Sequence, residues 1–513
     1  MQILTKQDFC TARRALRAIA LGVGALALAA PALTLAGAPE NAASTASAPG
    51  ASAQIEQLMA RYHELGQLDG TVLVADHGKV VYQGAFGLAN REWSVPNTVD
   101  TAHRIASMSK QFTATLIMQL QEQGKLRLDD KVSKYVPDLK PEIGERVTIH
   151  QLLNHTSGIV DFANFPGFWA NRMGERVTRA DMLAIMNHDL EFAPGTSRHY
   201  SSSGYTLLGY IIEKQTGKTY DLALEDMILR PLGMTRSGFD APERVVERKA
   251  SGYARVLGSY QPAAPVWTPN ILASGGMYST VGDLLRWDRA LYGQSLLSDQ
   301  SKRLMFTPYV QDDVWGDLGY GYGWMIGQRE LGGKARLVHE HGGNGNGNRS
   351  LITRYPDEQR LVVILLNEGG GYNGPGIYRI RNSITQVLYD MPAPLPKAGL
   401  SEALMADINT RGLAPAVADF AALQVKFGAP TSVDDLPRLG YAYAFAKRYD
   451  AAIAIFKLNL MLFPTDGNTY DSMGEVNLMA DDKPAAIVNY RRALELDPKN
   501  TNAAEVLRKL GAR

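Results

Sequence analysis

One cysteine, Cys10, stands in 513 residues, and it falls near the N-terminus. A chain trimmed past it holds no thiol, so disulfides, thiolate-bound zinc and cysteine catalysis are excluded from everything downstream. An excess of charge of either sign is also lacking. The 53 Lys and Arg against 52 Asp and Glu leave a formal net charge of +1, without a long basic run, which argues against nucleic acid as partner. The apolar run at residues 18–30 is Ala- and Gly-rich, and Pro31 interrupts it before the roughly 20 residues that a membrane span needs. What remains is a globular composition, 45% hydrophobic and 20% charged, on a chain too long for one ordinary core. Two or more domains are expected.

Arg13, Arg14 and Arg17 precede the apolar run and Ala36-Gly37-Ala38 follows it, the layout of a secretory signal. Residues 1–38 therefore read as a signal peptide, with an uncleaved membrane anchor as the alternative. Residues 39–54, rich in Ala, Ser, Pro and Gly, read as a flexible linker. The expected destination is the periplasm or the exterior, with no stable membrane span after cleavage.

Residues 55–390 read as one α+β domain. Thr71 to Ala75 and Lys79 to Tyr82 are strand-like runs around the turn signal Asp76-His77-Gly78. Ser350 to Thr353 and Leu361 to Leu366 form a second such pair around Tyr355-Pro356-Asp357-Glu358. Helical patterns such as Asp181 to Asn187 and Gly204 to Thr216 lie between. Strands at both ends with helices between them predict one antiparallel sheet in which the ends of the domain meet.

Three stretches carry chemistry. In Ser107-Met108-Ser109-Lys110, followed by an apolar helical pattern, serine and lysine share one helix face. A serine hydroxyl needs a base to become a nucleophile, and a desolvated lysine with lowered pKa supplies one. A Ser-rich helix start with a solvated lysine is the alternative. Tyr200 follows the turn Pro194-Gly195 and precedes a helix. A phenol beside a cation has its pKa lowered and can share the deprotonation, although a core tyrosine fits the same pattern. In His339-Glu340-His341-Gly342-Gly343-Asn344, glycines let a substrate approach the backbone, and a strand-edge N–H can donate to an oxyanion. His339 and His341 on one strand face also allow a metal reading, for which no third ligand set is evident.

In this order the stretches resemble the serine β-lactamase and penicillin-binding-protein superfamily, in particular its class C β-lactamase-like branch. That pattern is Ser-x-x-Lys, Tyr-x-Asn, then Lys-Thr-Gly or His-x-Gly. Here it reads Ser107 to Lys110, Tyr200-Ser201-Ser202 and His341-Gly342-Gly343. Leu152 to Gly158, Pro231-Leu232-Gly233-Met234, Gly275 to Thr280 with Asp283, and Tyr322-Gly323-Trp324 match accessory phrases. The resemblance implies that Ser107 attacks the carbonyl and is acylated, with Lys110 and Tyr200 as a coupled proton-transfer pair. It implies an oxyanion hole from the backbone N–H groups of Ser107 and Asn344, and a substrate-binding role for His341, Gly343 and Ser202. Neither metal nor cofactor is implied. Ser202 stands in place of asparagine, and His341 puts a group titrating near neutrality in place of a permanent cation. Both departures suit ester, amide or D-amino-acid peptide substrates at least as well as β-lactams. Phe162, Phe165, Phe168 and Trp169 are either an aromatic wall beside the site or core rings. His155 reads as structural, and Asp283 as the anchor of a helix over Leu284 to Leu291.

Met391-Pro392-Ala393-Pro394-Leu395-Pro396 opens a linker with helices, residues 391–430. In residues 431–513, Gly440, Ala452, Phe456 and Pro464 recur 34 residues on as Gly474, Ala486, Tyr490 and Pro498. That is the tetratricopeptide period, closed by a helix at Thr501 to Leu510. Two such repeats are too few to stand alone, so they are expected to pack on neighbouring helices, either as a structural cap or as a surface for a protein partner. The whole reads as an exported serine hydrolase acting on a small-molecule or peptide substrate through an acyl-enzyme. A β-lactamase, a D-alanyl-D-alanine carboxypeptidase, or a binding protein that keeps the fold are the alternatives.

Overall fold

The computed structural model describes residues 50–311, 318–369, 376–428 and 433–512. The expected signal peptide, with Cys10, and the expected linker up to residue 49 lie outside the described residues. The first helix, α1 (Gly50–Glu64), begins within the expected linker. Residues 50–54 are helical because they lead into an apolar stripe, Ile55, Leu58, Met59 and Tyr62, whose spacing buries one helix face. Tyr62 locks that face by a 2.9 Å hydrogen bond to Ser383.

Two hairpin partners, β1 (Gly70–Asp76) and β2 (Lys79–Phe86), follow. Far along the chain come β5 (Val310–Gln311), β6 (Gly319–Tyr320), β7 (Met325–Leu331), β8 (Lys334–Gly345), β9 (Asn348–Tyr355) and β10 (Arg360–Leu366). They form one eight-stranded antiparallel sheet in the order β5-β6-β7-β8-β9-β10-β1-β2. The first and last strands of the domain lie side by side in this sheet, with only β2 beyond them, and pair with Gly70 opposite Leu366 and Ala75 opposite Leu361. Both are buried along nearly their whole length. Alternate residues explain this. Leu73, Leu361, Val363 and Leu365 face one core, and Val72, Val74, Val362 and Ile364 face the other.

The second core is closed by α1 and by α4 (Gly376–Leu388). The first holds α2 (Ser109–Glu122) and α3 (Ser202–Thr216). Every residue of α2 from Ser109 to Met118 is buried, the mark of a helix enclosed on all sides. Phe112 stacks on Trp287 at 4.1 Å, and the Trp287 indole donates to the Gln111 amide oxygen at 3.0 Å. Phe162 and Phe168 pair edge to face in this core at 5.4 Å. The aromatic-wall expectation is thus corrected for these two rings, while Phe165 and Trp169 remain half-buried. Asp283 accepts from the Arg236 backbone and the Ser237 hydroxyl, which ties its helix (Val281–Ala290) to a neighbouring loop.

Beyond residue 390 the described chain is helical: α5 (Leu400–Arg411), two short helices, then α6 (Asp435–Phe445), α7 (Tyr449–Leu462), α8 (Gly467–Met479), α9 (Lys483–Leu496) and α10 (Thr501–Lys509). Within each pair, a glycine meets an aromatic ring. A Cβ on Gly440 would lie 2.5 Å from Phe456, and one on Gly474 would lie 2.9 Å from Tyr490. This explains the glycines 34 residues apart. The helical part reaches the sheet domain through the hairpin β3 (Tyr253–Val256) and β4 (Ser259–Pro262). Leu257 at its tip enters the helical core, and Asn409 donates to the Leu257 carbonyl at 2.8 Å. The base of the hairpin presses on Gly347, in the turn between β8 and β9.

Candidate active site

Ser107 lies in a short 3-10 turn, Ala106–Met108, that runs directly into α2. Ala106 has φ of +46°, a left-handed conformation that costs a non-glycine residue about 1–2 kcal/mol. The turn is held from three sides. Ile105 N–H donates to the Met277 carbonyl at 3.0 Å, the Ser109 hydroxyl to the Ala106 carbonyl at 2.7 Å, and the Ser350 hydroxyl to the Ile105 carbonyl at 2.6 Å. The strain is therefore fixed by surrounding bonds rather than relieved.

Lys110 follows one turn of helix later and is completely buried. Its ammonium group lies 3.3 Å from Ser107 Oγ and donates to the Ser274 carbonyl at 2.7 Å. It also stands over the rings of Tyr200 at 4.8 Å and Tyr205 at 5.5 Å. Burial disfavours its charged form and pushes its pKa down to about 7, opposed by the Asp161 carboxylate. Tyr200 shares a hydrogen bond with Ser107. The expected depression of its phenol by the neighbouring cation is not found. Desolvation dominates and raises the Tyr200 pKa, so Tyr200 is a neutral hydroxyl at physiological pH. Ser107, Lys110 and Tyr200 are thus brought together, with lysine as the group poised to titrate.

His341 departs further from expectation. Its Nδ1 bonds the Gly342 carbonyl at 2.7 Å, so that nitrogen carries the proton, and Nε2 pairs with the Tyr320 hydroxyl at 3.0 Å. Burial, with Lys110 nearby, lowers its pKa to about 3. It does not titrate near neutrality, because the enclosed ring has no counter-charge to favour the imidazolium. His339 lies in the adjacent core, stacked on Phe306 at 4.3 Å. Among the described residues, no three His, Cys, Asp or Glu side chains converge as a metal site.

The strand carrying His341 explains the glycines. Pairing between β7 and β8 ends at Met325 opposite Glu340, while pairing between β8 and β9 continues to Gly345 opposite Asn348. From His341 to Gly345, one backbone edge of β8 therefore has no strand paired to it among the described residues, and Asn344 lies on this stretch with an exposed side chain. The Ser107 turn packs on its face. A Cβ on Gly343 would lie 2.1 Å from the Ile105 carbonyl oxygen and 2.4 Å from Ser350 Oγ, so only glycine fits.

Ser202 is the first residue of α3, and its N–H donates to Asp161 Oδ1 at 3.0 Å. His155, with φ of +64°, packs its ring at 4.4 Å from Tyr200 and at 4.6 Å from Tyr320, and its Nδ1 accepts from the Ser201 N–H at 3.2 Å. It shapes the Tyr200 wall, as a structural residue does. Sequence reasoning missed Asp161, Tyr320 and the Ser274 carbonyl. A single aspartate, a single tyrosine or a main-chain oxygen has no spacing signature, and each gains its place only through the fold.

The family model described as Beta-lactamase matches residues 51–382, which leaves the C-terminal helices outside it. Penicillin-binding protein 4* of Bacillus subtilis (strain 168) is 33% identical over 331 residues, 61% of this chain and 71% of that protein. Esterase EstB of Burkholderia gladioli is 31% identical over 254 residues, 42% of this chain and 63% of that protein. Among solved structures, a D-stereospecific amidohydrolase from Streptomyces sp. is 28% identical with a TM-score of 0.54, covering 62% of this chain and 95% of that one.

Proposed function

The chain belongs to the Beta-lactamase family, whose members include serine hydrolases, and from that premise we propose that Ser107, Lys110 and Tyr200 carry an acyl-enzyme reaction on ester, amide or D-amino-acid peptide substrates. One observation carries the assignment: a buried lysine, basic near neutrality, with its nitrogen 3.3 Å from Ser107 Oγ. The neutral amine takes the serine proton as Oγ attacks the substrate carbonyl carbon. The oxyanion that forms is met by the N–H groups of Ser107 and of Asn344 on the open stretch of β8. Tyr200, protonated and bonded to Ser107, passes the proton from the Lys110 ammonium to the leaving oxygen or nitrogen. Water then attacks the acyl-enzyme by the reverse path. His341 is uncharged here and orients Tyr320 rather than pairing with a substrate carboxylate. That favours esters and amides over substrates recognised through such a group.

The leader-like N-terminus supports export to the periplasm or exterior, and the helix pairs of the C-terminus are read as tetratricopeptide-like. A fluorophosphonate probe tests the core of the proposal. Wild type is expected to label at one site, Ser107, and Ser107→Ala to lose the label with its melting temperature unchanged. A folded wild-type chain that takes no label would refute it. Hydrolysis of nitrocefin faster than of a short p-nitrophenyl ester would favour the β-lactamase reading instead.

A further inference from the structure

Asp161 lies in the loop before the turn Phe162–Asn164 and is 3% exposed. Three backbone N–H groups converge on one of its oxygens, Oδ1: Ser202 at 3.0 Å, Ser203 at 3.2 Å and Ala163 at 3.3 Å. The stitching is reciprocal, because the Phe162 N–H donates to Ser203 Oγ at 2.9 Å. A carboxylate at this place also meets the positive end of the α3 dipole. The helix so held begins two residues after Tyr200.

Lys110 is faced by Ser107, the Ser274 carbonyl, the Tyr200 and Tyr205 rings, His155, His341 and Asp161. Arg198, over the Tyr320 ring at 5.3 Å, acts electrostatically on Tyr200 and His341, and His199, paired with Glu191, acts on Asp161. Burial keeps both His155 and His341 neutral. Burial raises the Asp161 carboxyl above its usual range, opposed by the Ala163 and Ser203 N–H groups and by Lys110, and within the ring of groups around Lys110 it is the one that bears negative charge when ionised.

We propose that Asp161 is a positioning residue of the serine site, clamping the start of α3 so that Tyr200 meets Ser107, and supplying the negative charge that faces Lys110 as its ammonium forms. The inference rests on the acyl-enzyme reading given above. Proton transfer from Ser107 Oγ to Lys110 creates a cation in a place closed to water. A facing carboxylate makes that cation less costly, and so makes Lys110 the stronger base.

Asp161→Asn separates the two roles, since its amide oxygen can still accept from Ser202 and Ser203 while the charge is gone. The measurement is the rate of fluorophosphonate labelling between pH 5 and 10, with melting curves, for wild type, Asp161→Asn and Asp161→Ala. In Asp161→Asn the acid limb should move to lower pH by about one unit, and the plateau rate should fall about tenfold, with melting nearly unchanged. Asp161→Ala should also melt lower, because the backbone donors of α3 lose their acceptor. A limb in folded Asp161→Asn that stays in place or moves upward overturns the proposal. Should Asp161→Asn not fold, the coupling is read from the other partner. In Lys110→Met carrying carboxyl-13C aspartate, the Asp161 signal should titrate at higher pH than in wild type, and an unmoved titration overturns the proposal. A wild type that takes no label refutes the serine reading, while the carboxyl titration still decides the electrostatic coupling between Asp161 and Lys110.

Discussion

Lys110 has no exposed surface, and its folded-state pKa is held near 7 against the ordinary 10.5. The sign of the consequence is definite. Between these two values the unfolded chain binds a proton that the folded chain does not, so folding stability rises with pH across that window. Lys110→Met removes the buried amine, and is expected to abolish labelling while raising the melting temperature at neutral pH by several degrees, measured by calorimetry. In the proposed mechanism the base is the deprotonated amine, so kcat/KM for an ester should climb through an acid limb near pH 7. His341 makes no such limb, since its proton equilibrium lies near pH 3. His341→Gln should slow the reaction and leave the limb where it is; a limb that disappears would assign it to the imidazole. Ser-x-x-Lys suggested a desolvated lysine with lowered pKa, but neither it nor His-x-Gly tells how far burial moves each group, because motifs name the groups without their dielectric surroundings. Tyr200 makes the same point, because the cation beside it is outweighed by its own burial.

The elements that matter are the turn at Ala106–Met108 and the strand β8, which meet where Ile105 touches Gly343, 238 positions further along the chain.

 The contact leaves no room for a side chain: a Cβ there would lie 2.1 Å from the Ile105 carbonyl oxygen. Gly343→Ala must push β8 away from the Ser107 turn, an overpacking that costs about 1–3 kcal/mol and moves the open strand edge away from the reacting carbonyl. The expected result is a labelling rate at least a hundredfold lower in a chain that still melts cooperatively, measured by stopped labelling and calorimetry. Ser350→Ala loosens the same contact by removing one hydrogen bond to Ile105, and should cost less in rate. The strands themselves were legible, because β-branched and apolar runs of this length between turn residues have few other solutions. Their ends were not. α1 starts at Gly50 and α3 at Ser202, ahead of the apolar pattern in each case, and for α3 the Ser201 hydroxyl and the Asp161 carboxylate hold the extra residues.

At the scale of the molecule, the hairpin β3–β4 joins two bodies of different construction. Its tip, Leu257, is buried among α5 and its neighbours, while its base presses on the turn after β8. Leu257→Asp places a charge in that helical core and should release the C-terminal helices from the hairpin. Limited proteolysis is then expected to cut at residues 391–396 well before wild type is cut, with Ser107 labelling retained. Loss of labelling at the same rate as cleavage would mean that the helices also brace the site. The 34-residue recurrence announced helix pairs, and Gly440 against Phe456 with Gly474 against Tyr490 gives its steric reason. The docking onto the hairpin has no counterpart in the sequence, because Leu257 is an ordinary loop leucine until the helices arrive.

By itself the sequence determined the α+β class, the meeting of the domain's two ends in one sheet and the helical C-terminal part, and it named Ser107, Lys110 and Tyr200, which the fold brings together. These follow from hydrophobic period, turn chemistry and motif order, all of which are local or ordered along the chain. Only the tertiary structure decided the protonation states of Lys110, Tyr200 and His341, the place of Phe162 and Phe168 in the core, and the convergence of Asp161 on the start of α3. Those depend on what surrounds a group in space, and burial and facing charge are set by residues far away in the chain.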